Sequence, residues 1–312
     1  MEKQKAFDLA KKLLDGGDIH QGYRMNDGRL YPAYYTNEEW EAFLADMKTN
    51  YPAAFKGYDE GKGGELEEHN FKGKKIPPKM ASYSSSSRFI YELSRNIPGF
   101  EFECKLPISI PANNGGEAEA SLDGYYPKRN IFVEAKCHEF YKPSFTSFKF
   151  KYREFYDFLK ERLDFFDYRI ATRASNNGKI SREVVFQWNG VEIHSYDLKQ
   201  VLCHLLGIAK FNLTNKVFGE TTFLYLVYKP TQSLLNYVEA EEDRRSIEDA
   251  WDLEKQEAIS IDYRQLYGQV VHYLHEKKGI APAMSHSNIE QIIDAFSFRF
   301  CDQDLFLNLF SE

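Results

Sequence analysis

The chain has 312 residues, a length that predicts either one elaborated domain with extensions or two modest domains. Hydrophobic residues make up 43% and charged residues 28%, and no stretch approaches the ~18 consecutive apolar residues of a membrane span. The formal net charge of −7 excludes a protein coated in positive charge, such as a histone-like binder.

Local features indicate the cellular setting. The residues after Met1 lack the apolar core of a secretory signal. The four cysteines are widely spaced and form no C-x-x-C pair, so neither a zinc knuckle nor a disulfide scaffold is expected. The glycine-rich residues 61–64 lack the spacing of a phosphate-binding loop, so no nucleotide cofactor is expected. We therefore expect a cytoplasmic protein that has no membrane partner.

Helical spacing and breaker residues divide the chain into three stretches. Residues 1–82 are predicted to be a helical and loop-rich N-terminal extension, with helices over residues 3–14 and 37–47. Residues 83–230 hold the densest order and form the predicted core. Residues 231–312 are predicted to be a helical C-terminal region that packs on this core.

The middle stretch alternates helices with strands. The predicted order is a helix, three strands, an inserted segment with a helix and a hairpin, a long helix and a buried strand. The ranges are about residues 84–97, 100–110, 117–125, 131–137, 150–165, 184–194, 197–211 and 222–228. The serines at positions 84–87 predict the cap of the first helix, and Asn189-Gly190 predicts the tight turn of the inserted hairpin. This order predicts an α/β fold with a central mixed sheet flanked by helices.

The second and third strands form a hairpin whose pairing follows from the sequence. If residues 127–130 form the loop, apolar residues meet apolar residues on one face. The predicted pairs on that face are Tyr126 with Ile131, Gly124 with Val133, Leu122 with Ala135, and Ala120 with Cys137. On the other face Asp123 lies opposite Glu134 with Cβ atoms ~5 Å apart, and Ser121 lies opposite Lys136.

Two opposed carboxylates repel each other unless a divalent cation lies between them. Oxygen ligands with open positions for water suit Mg²⁺, for which Mn²⁺ can substitute. Lys136 is two residues from Glu134 on the same face, where its ammonium group can position a water or stabilise negative charge. The hairpin therefore predicts a site that hydrolyses a phosphodiester. The alternative is a solvated sheet face on which these charges have no chemical role; the helices predicted before and after the sheet disfavour it.

The order of elements around Asp123 and Glu134-Ala135-Lys136 resembles the core of the PD-(D/E)XK nuclease superfamily, the restriction-endonuclease-like fold. The resemblance covers about residues 84–228, roughly half of the chain. It implies that Asp123 and Glu134 bind the metal ion and that Lys136 assists the attacking water. It also implies that the backbone carbonyl of Ala135 binds the metal.

The same resemblance implies auxiliary residues. Many members carry an acid on the helix before the first strand, which points to Glu92; the alternative is a partly buried helix glutamate. Some members carry a Gln or a Lys on the helix after the motif, which points to Gln200 and Lys199; the alternative is a pair of solvent-facing polar residues. The chain departs from the family in having Leu122-Asp123 where the family has Pro-Asp.

An aromatic and basic segment follows the third strand. Twelve aromatic residues lie between positions 140 and 168, and no acid interrupts residues 141–153. The basic residues there are Lys142, Lys149, Lys151 and Arg153. This pattern predicts contacts to nucleic-acid phosphates together with base stacking. In the alternative interpretation the aromatic side chains pack in the core and the lysines extend along the surface.

The net charge is unevenly distributed. Residues 239–257 contain nine acids and three basic residues, a local net charge of −6, which leaves −1 for the rest of the chain. Residues 141–180 contain nine basic residues and five acids, a local net charge of +4. The global charge is therefore compatible with a cleft that is locally basic.

These patterns together predict a Mg²⁺-dependent phosphodiesterase: an endodeoxyribonuclease of restriction-endonuclease type whose partner is DNA. Cutting both strands requires two active sites, which predicts a homodimer. Two alternatives remain. One is a nucleic-acid-binding or interaction protein that keeps the fold without turnover, and the other is a nuclease that acts on RNA or on branched or damaged DNA.

Overall fold

In the computed structural model of the chain, the described residues are 23–26, 29–32, 35, 37–61, 64–71, 74–82, 85–112, 115–136, 146–147, 149–174, 180–192, 198–227 and 253–310. The helices are α1 Asn37–Asn50, α2 Pro52–Glu60, α3 Ser86–Ser94, α4 Arg153–Lys160, α5 Leu198–Asn215, α6 Leu253–His272, α7 His286–Asp294 and α8 Gln303–Leu309. The strands are β1 Tyr23–Asn26, β2 Arg29–Pro32, β3 His69–Phe71, β4 Lys74–Ile76, β5 Glu101–Pro111, β6 Glu117–Tyr126, β7 Ile131–Lys136, β8 Thr146–Ser147, β9 Phe166–Ala174, β10 Ile180–Trp188, β11 Val191–Glu192, β12 Thr221–Val227 and β13 Phe296–Cys301. The helix predicted over residues 3–14 lies outside these ranges.

A five-stranded mixed sheet in the order β13-β12-β7-β6-β5 forms the centre of the fold. Strands β5, β6 and β7 pair antiparallel, whereas β7, β12 and β13 run parallel. The predicted α/β architecture with a mixed central sheet flanked by helices is confirmed. Strand β13 was not predicted. It lies in the C-terminal region, which was predicted to be helical, and it pairs with β12 at the edge of the sheet.

Helices cover both faces of this sheet. On one face α3 and α8 contribute Phe89, Ile90 and Phe306, which pack on Val133 and Leu224. On the other face α4, α5, α6 and α7 form the larger core. Both faces of β7 are thereby covered, and all six of its residues are buried. Buried parallel strands of this kind read as nearly continuous apolar runs, so the polar residues within β7 stand out.

The inserted segment builds a second, antiparallel sheet around β10. Strand β10 pairs with β9 along its full length and also with β8 and β11. The predicted turn at Asn189-Gly190 is confirmed, with φ of 51° and 79° at these two residues, the left-handed conformation that a tight hairpin requires. Phe186 and Trp188 on β10 pack into the larger core.

The first helices pack on the central part of the fold as well. Met47 on α1 and Tyr58 on α2 are buried against Tyr91 of α3, and Phe102 of β5 packs beside them. Helix α3 begins at its predicted serine cap, where the Ser85 hydroxyl accepts a hydrogen bond from the Arg88 amide at 3.2 Å. Within the described ranges, no helix has the length and apolar character needed to cross a membrane.

Candidate active site

The predicted hairpin between β6 and β7 forms in the predicted register. Gly124 pairs with Val133 and Tyr126 with Ile131, and the loop is a 3-10 turn over Pro127–Arg129. Asn130 closes the loop with a φ of 48°. The four-residue loop therefore sets the strand pairing, as the sequence predicts.

Beyond these pairs, β5 and β6 both change the face to which their side chains point. Phe102 packs on the α3 side of the sheet, but Cys104, two residues later, packs on the α5 side. The residue between them, Glu103, has a φ of 57°, in the left-handed region that non-glycine residues seldom adopt. Across the strand pair, Glu103 faces Asp123, because its neighbours pair with Gly124 and Leu122 on β6.

This change of face corrects part of the predicted pairing. Leu122 packs with Phe132 in the α5-side core, whereas Ala135 packs in the α3-side core. The predicted pairing of Leu122 with Ala135 is therefore wrong, because the side chains of β6 do not alternate strictly: Gly124 lies against Phe100 on the α3 side, and Leu122, two residues earlier, faces the α5 side. The predicted partner of Ala120 lies at position 137, outside the described residues.

Asp123 lies where the two strands change face. Its Oδ2 accepts a hydrogen bond from the backbone N–H of Ala135 at 2.7 Å, so the carboxylate links β6 to β7. Burial raises the pKa of Asp123 well above its ordinary value, and the nearby carboxylate of Glu134 raises it further. The two acids predicted to oppose each other are therefore close enough to repel.

Glu134 and Lys136 form a buried ion pair. The Lys136 Nζ lies 2.6 Å from Glu134 Oε1, and the two side chains are 9% and 2% exposed. Gln200 on α5 joins both, because its Nε2 donates to Glu134 Oε1 at 2.6 Å while its Oε1 accepts from Lys136 Nζ at 2.6 Å. The face that carries these charges is covered by a helix, which is inconsistent with a solvated charge ladder.

His204 lies one helical turn after Gln200 and was not predicted from the sequence. Its Nε2 is 3.0 Å from the Ser121 carbonyl oxygen and 3.6 Å from Glu134 Oε2, and the residue is 1% exposed. The spacing of four residues between Gln200 and His204 puts both on one helical face. That spacing could have identified His204 as a neighbour of Gln200 from the sequence, but only the packing of α5 on the sheet shows that this face of the helix is directed at Glu134.

Two further acids lie near Asp123. Burial raises the pKa of Glu103 to about 7, and the carboxylates of Asp123 and Glu65 add to the increase. Glu65 is buried and pairs with Lys79 at 2.9 Å. The sequence does not identify either acid as a neighbour, because Glu65 is in the N-terminal extension and Glu103 needs the β5–β6 register.

Glu92 on α3 has a structural partner. Its Oε1 accepts from Arg88 Nε at 2.8 Å, and the guanidinium of Arg88 stacks over the Tyr35 ring at 3.9 Å from the ring centroid. Arg88 is 1% exposed, and a buried guanidinium needs a nearby carboxylate to offset its lost hydration. The contact accounts for Glu92 without a metal, and its role at the site stays a prediction.

The predicted basic residues separate into two groups. Lys151 and Lys199 both lie over the ring of Tyr152, at 5.5 and 5.6 Å from the centroid. Burial lowers the pKa of Lys151, as do the neighbouring ammonium groups of Lys149 and, to a smaller extent, Lys199. We call Lys149, Lys151 and Lys199 the lysine cluster. It lies next to Gln200 along α5.

The other predicted basic residues lie elsewhere. Arg153 pairs with Asp157 one helical turn away at 3.5 Å and lies 5.8 Å from the centroid of the exposed Phe150 ring. Lys142 lies outside the described residues. The aromatic residues divide as the alternative interpretation expects, since Tyr152, Phe155 and Tyr156 are buried in the core while Phe150 is 72% exposed.

The donor chemistry near Asp123 and Glu134 fits a hard divalent cation. Two carboxylates in a buried setting repel each other, as the raised pKa of Asp123 reflects, and a cation would remove that cost. In the part of the chain that the structure describes, no cluster of three or more acids, histidines or cysteines is arranged to hold a metal.

Comparison of the chain with protein-family models, with curated proteins and with solved structures finds no match.

Proposed function

We propose that the chain is a metal-dependent endodeoxyribonuclease with a restriction-endonuclease-like core. The observation that carries the proposal is the group formed by the half-buried Asp123 and the buried Glu134 and Lys136 on two adjacent strands, with Lys136 Nζ 2.6 Å from Glu134. Such a group costs stability: Asp123 and Glu134 repel, and burial opposes the ionisation of Asp123. Charged groups kept at such a cost in one place are typical of functional sites.

Each residue has a distinct part in the proposed reaction. Asp123 and Glu134 would hold Mg²⁺ together with the backbone carbonyl of Ala135. The bound ion would supply Lewis-acid stabilisation of the phosphoryl oxygens and lower the pKa of a water molecule. Lys136 would orient the water for in-line attack on phosphorus and stabilise developing negative charge. Gln200 holds Glu134 and Lys136 in a fixed relative position through its two amide atoms.

The lysine cluster supports a polyanionic substrate. Lys151 and Lys199 lie over one tyrosine ring, and the pKa of Lys151 is lowered by its burial and by repulsion from the ammonium groups of Lys149 and Lys199. A phosphate between them would relieve that repulsion, in the same way that a cation would relieve the repulsion of the two acids. We propose that DNA phosphates bind here and that two copies of the chain act together on a duplex.

Plasmid cleavage tests the proposal. Supercoiled DNA is incubated with Mg²⁺ and the wild type, with Asp123→Ala or with Lys136→Ala, and nicked and linear products are quantified. Each substitution should lower the rate at least ~10²-fold, since each removes a group that acts at the reacting phosphate. Glu119→Ala, an exposed acid on the same strand, and Lys128→Ala, an exposed lysine in the hairpin loop, are the matched controls. Cleavage that survives both site substitutions contradicts the mechanism.

One observation favours a second candidate. Lys136 and Gln200 already neutralise and bind Glu134 without any metal, an arrangement that would stabilise a nucleic-acid-binding protein without turnover. DNA binding that persists in Asp123→Ala, with no cleavage by the wild type, would identify this alternative. Single-stranded RNA and branched DNA, offered in parallel with duplex DNA, separate the remaining substrate classes.

A further inference from the structure

His204 is the buried side chain of α5 that the proposed reaction leaves unassigned. Its ring is 1% exposed and packs edge-on against Phe223 on β12, with ring centroids 5.8 Å apart. Nε2 points at β6 and β7, 3.0 Å from the Ser121 carbonyl oxygen and 3.6 Å from Glu134 Oε2. One nitrogen atom of α5 is thus close to both strands of the catalytic hairpin.

The two neighbours of Nε2 determine its protonation. A backbone carbonyl oxygen can only accept a hydrogen bond, and the Ser121 oxygen is within bonding distance. The ring must therefore carry hydrogen on Nε2, where it donates to Ser121. The positive end of the same N–H dipole lies near Glu134 Oε2, whereas Lys136 and Gln200 contact Oε1 of the same carboxylate.

We propose that His204 is a positioning residue for Glu134 and Asp123. By holding the Ser121 carbonyl it fixes β6 two residues before Asp123, at the strand segment where the side chains have changed face. By lying against Glu134 it sets the direction of the second carboxylate oxygen. The inference rests on the proposed function, because its consequence is the geometry of the two predicted metal ligands.

Packing alone would require no hydrogen-bond donor at this position. The buried residues on either side of His204 on α5 are apolar, among them Val201, Leu202, Leu205 and Ile208. A histidine costs desolvation free energy in such a place unless its polar atoms are satisfied. The hydrogen-bond donor on Nε2 therefore distinguishes His204 from the apolar residues around it.

The test compares substitutions that keep or remove the donor. His204→Phe keeps a planar ring but cannot donate, whereas His204→Gln places an amide N–H near the position of Nε2. His275→Phe is the matched control, since Nδ1 of His275 also lies near a backbone carbonyl, that of Ile280 at 3.1 Å, on a different element. Mn²⁺ affinity is measured by titration calorimetry without DNA, and kcat and KM are measured with plasmid and Mg²⁺.

We expect His204→Phe to weaken Mn²⁺ binding about 10-fold or more and to lower kcat by a similar or larger factor, as for other groups that orient metal ligands. KM for DNA should change little, because His204 lies beneath the sheet and not in the substrate path. His204→Gln should recover most of both losses, and His275→Phe should behave as the wild type.

Three results would overturn the proposal. Wild-type Mn²⁺ affinity and kcat in folded His204→Phe would show that the donor is unnecessary. Equal losses of Mn²⁺ affinity and kcat in the Phe and Gln variants would indicate a packing role alone. If thermal unfolding shows that His204→Phe does not fold, His204→Met replaces it in this comparison. If the wild-type protein neither binds Mn²⁺ nor cuts DNA, the proposed function itself is overturned. This outcome is distinguishable from failure of the His204 proposal, because it is seen in the wild type without any substitution.

Discussion

At the scale of single residues, one amide organises the candidate site. Lys136 is solely a donor, so the Gln200 atom that faces it must be the amide oxygen, and the amide nitrogen is then directed at the Glu134 carboxylate. The buried charges are thus bound by groups of matching polarity. Such networks specify a unique geometry, because any other amide orientation would put donor against donor.

Glu103 makes the stability of the folded protein depend on pH. Its pKa rises from 4.5 to about 7 in the folded protein, chiefly through burial. The folded state therefore binds the proton more tightly, so the contribution to stability is complete below about pH 4.5 and lost as the pH rises through about 7. We expect Glu103→Gln to reduce the loss of stability between pH 5 and pH 8 by about 2 kcal/mol, after allowing for solvent screening of a partly exposed group.

Urea unfolding at the two pH values, with a chelator present, measures this difference. Glu101→Gln is the control, since Glu101 is an exposed acid on the same strand, two residues away. The same pH dependence in wild type and Glu103→Gln would contradict the assignment of this titration to Glu103.

At the scale of elements, α5 lies unusually close to β5. A Cβ atom added at Gly207 would lie 2.7 Å from Leu106 Cβ and 3.4 Å from Ala120 Cβ. The first distance is shorter than real carbon contacts, so the helix could not approach the sheet this closely with any other residue. This approach brings Gln200 and His204, earlier on the same helix, to the charged residues of β7.

Gly207→Ala should therefore destabilise the protein despite the better helix propensity of alanine. Propensity favours alanine by about 1 kcal/mol, but overpacking of a rigid contact costs typically 1–3 kcal/mol, so we expect a net loss of about 1 kcal/mol. Urea unfolding measures it. Gly219→Ala, where nothing lies within 4 Å of the added Cβ, should change stability by less than about 0.5 kcal/mol. Greater stability of Gly207→Ala would show that the helix moves away from the sheet at little cost.

At the scale of the whole molecule, charge is distributed unevenly. The net charge is −7, yet Lys151 and Lys199 both lie over the ring of Tyr152, and the charge of Lys149 acts on Lys151. Several lysines elsewhere pair with acids, as Lys56 does with Glu60. Local potential, and not the total, determines where a polyanion binds, because charges more than ~8 Å apart in solvent are screened at physiological salt.

Salt dependence of DNA binding tests the lysine cluster. Replacing Lys149, Lys151 and Lys199 together with glutamine should lower the slope of log affinity against log salt concentration by about 2 to 3, since each phosphate contact contributes about 0.9. The control replaces three lysines that pair with acids: Lys56, Lys75 and Lys160. Fluorescence anisotropy measures both, and equal slopes for the two triple variants would show that binding depends on net charge alone.

Much of the fold could be predicted because its signals are local. Alternating side chains, a serine cap and Asn189-Gly190 are properties of a few adjacent residues, and they identified α3, the β6–β7 hairpin and the turn after β10. Strands β9 and β13 were missed because a short apolar run becomes a strand only through pairing with another strand. The partner of β13, β12, is distant in the chain, and the partner of β9, β10, follows a segment that was assigned no element.

The sequence by itself determined that Asp123, Glu134 and Lys136 come together, because a four-residue loop and an apolar stripe permit one register near the turn. The tertiary structure decided the rest of the site. Both β5 and β6 change face, at Glu103 and at Asp123, so that Leu122 lies on the other face of the sheet, and the close contact at Gly207 brings α5 onto the charged residues. Hairpin register depends on neighbours in the chain, whereas the burial of His204 and the pKa of Glu103 depend on residues far away in it.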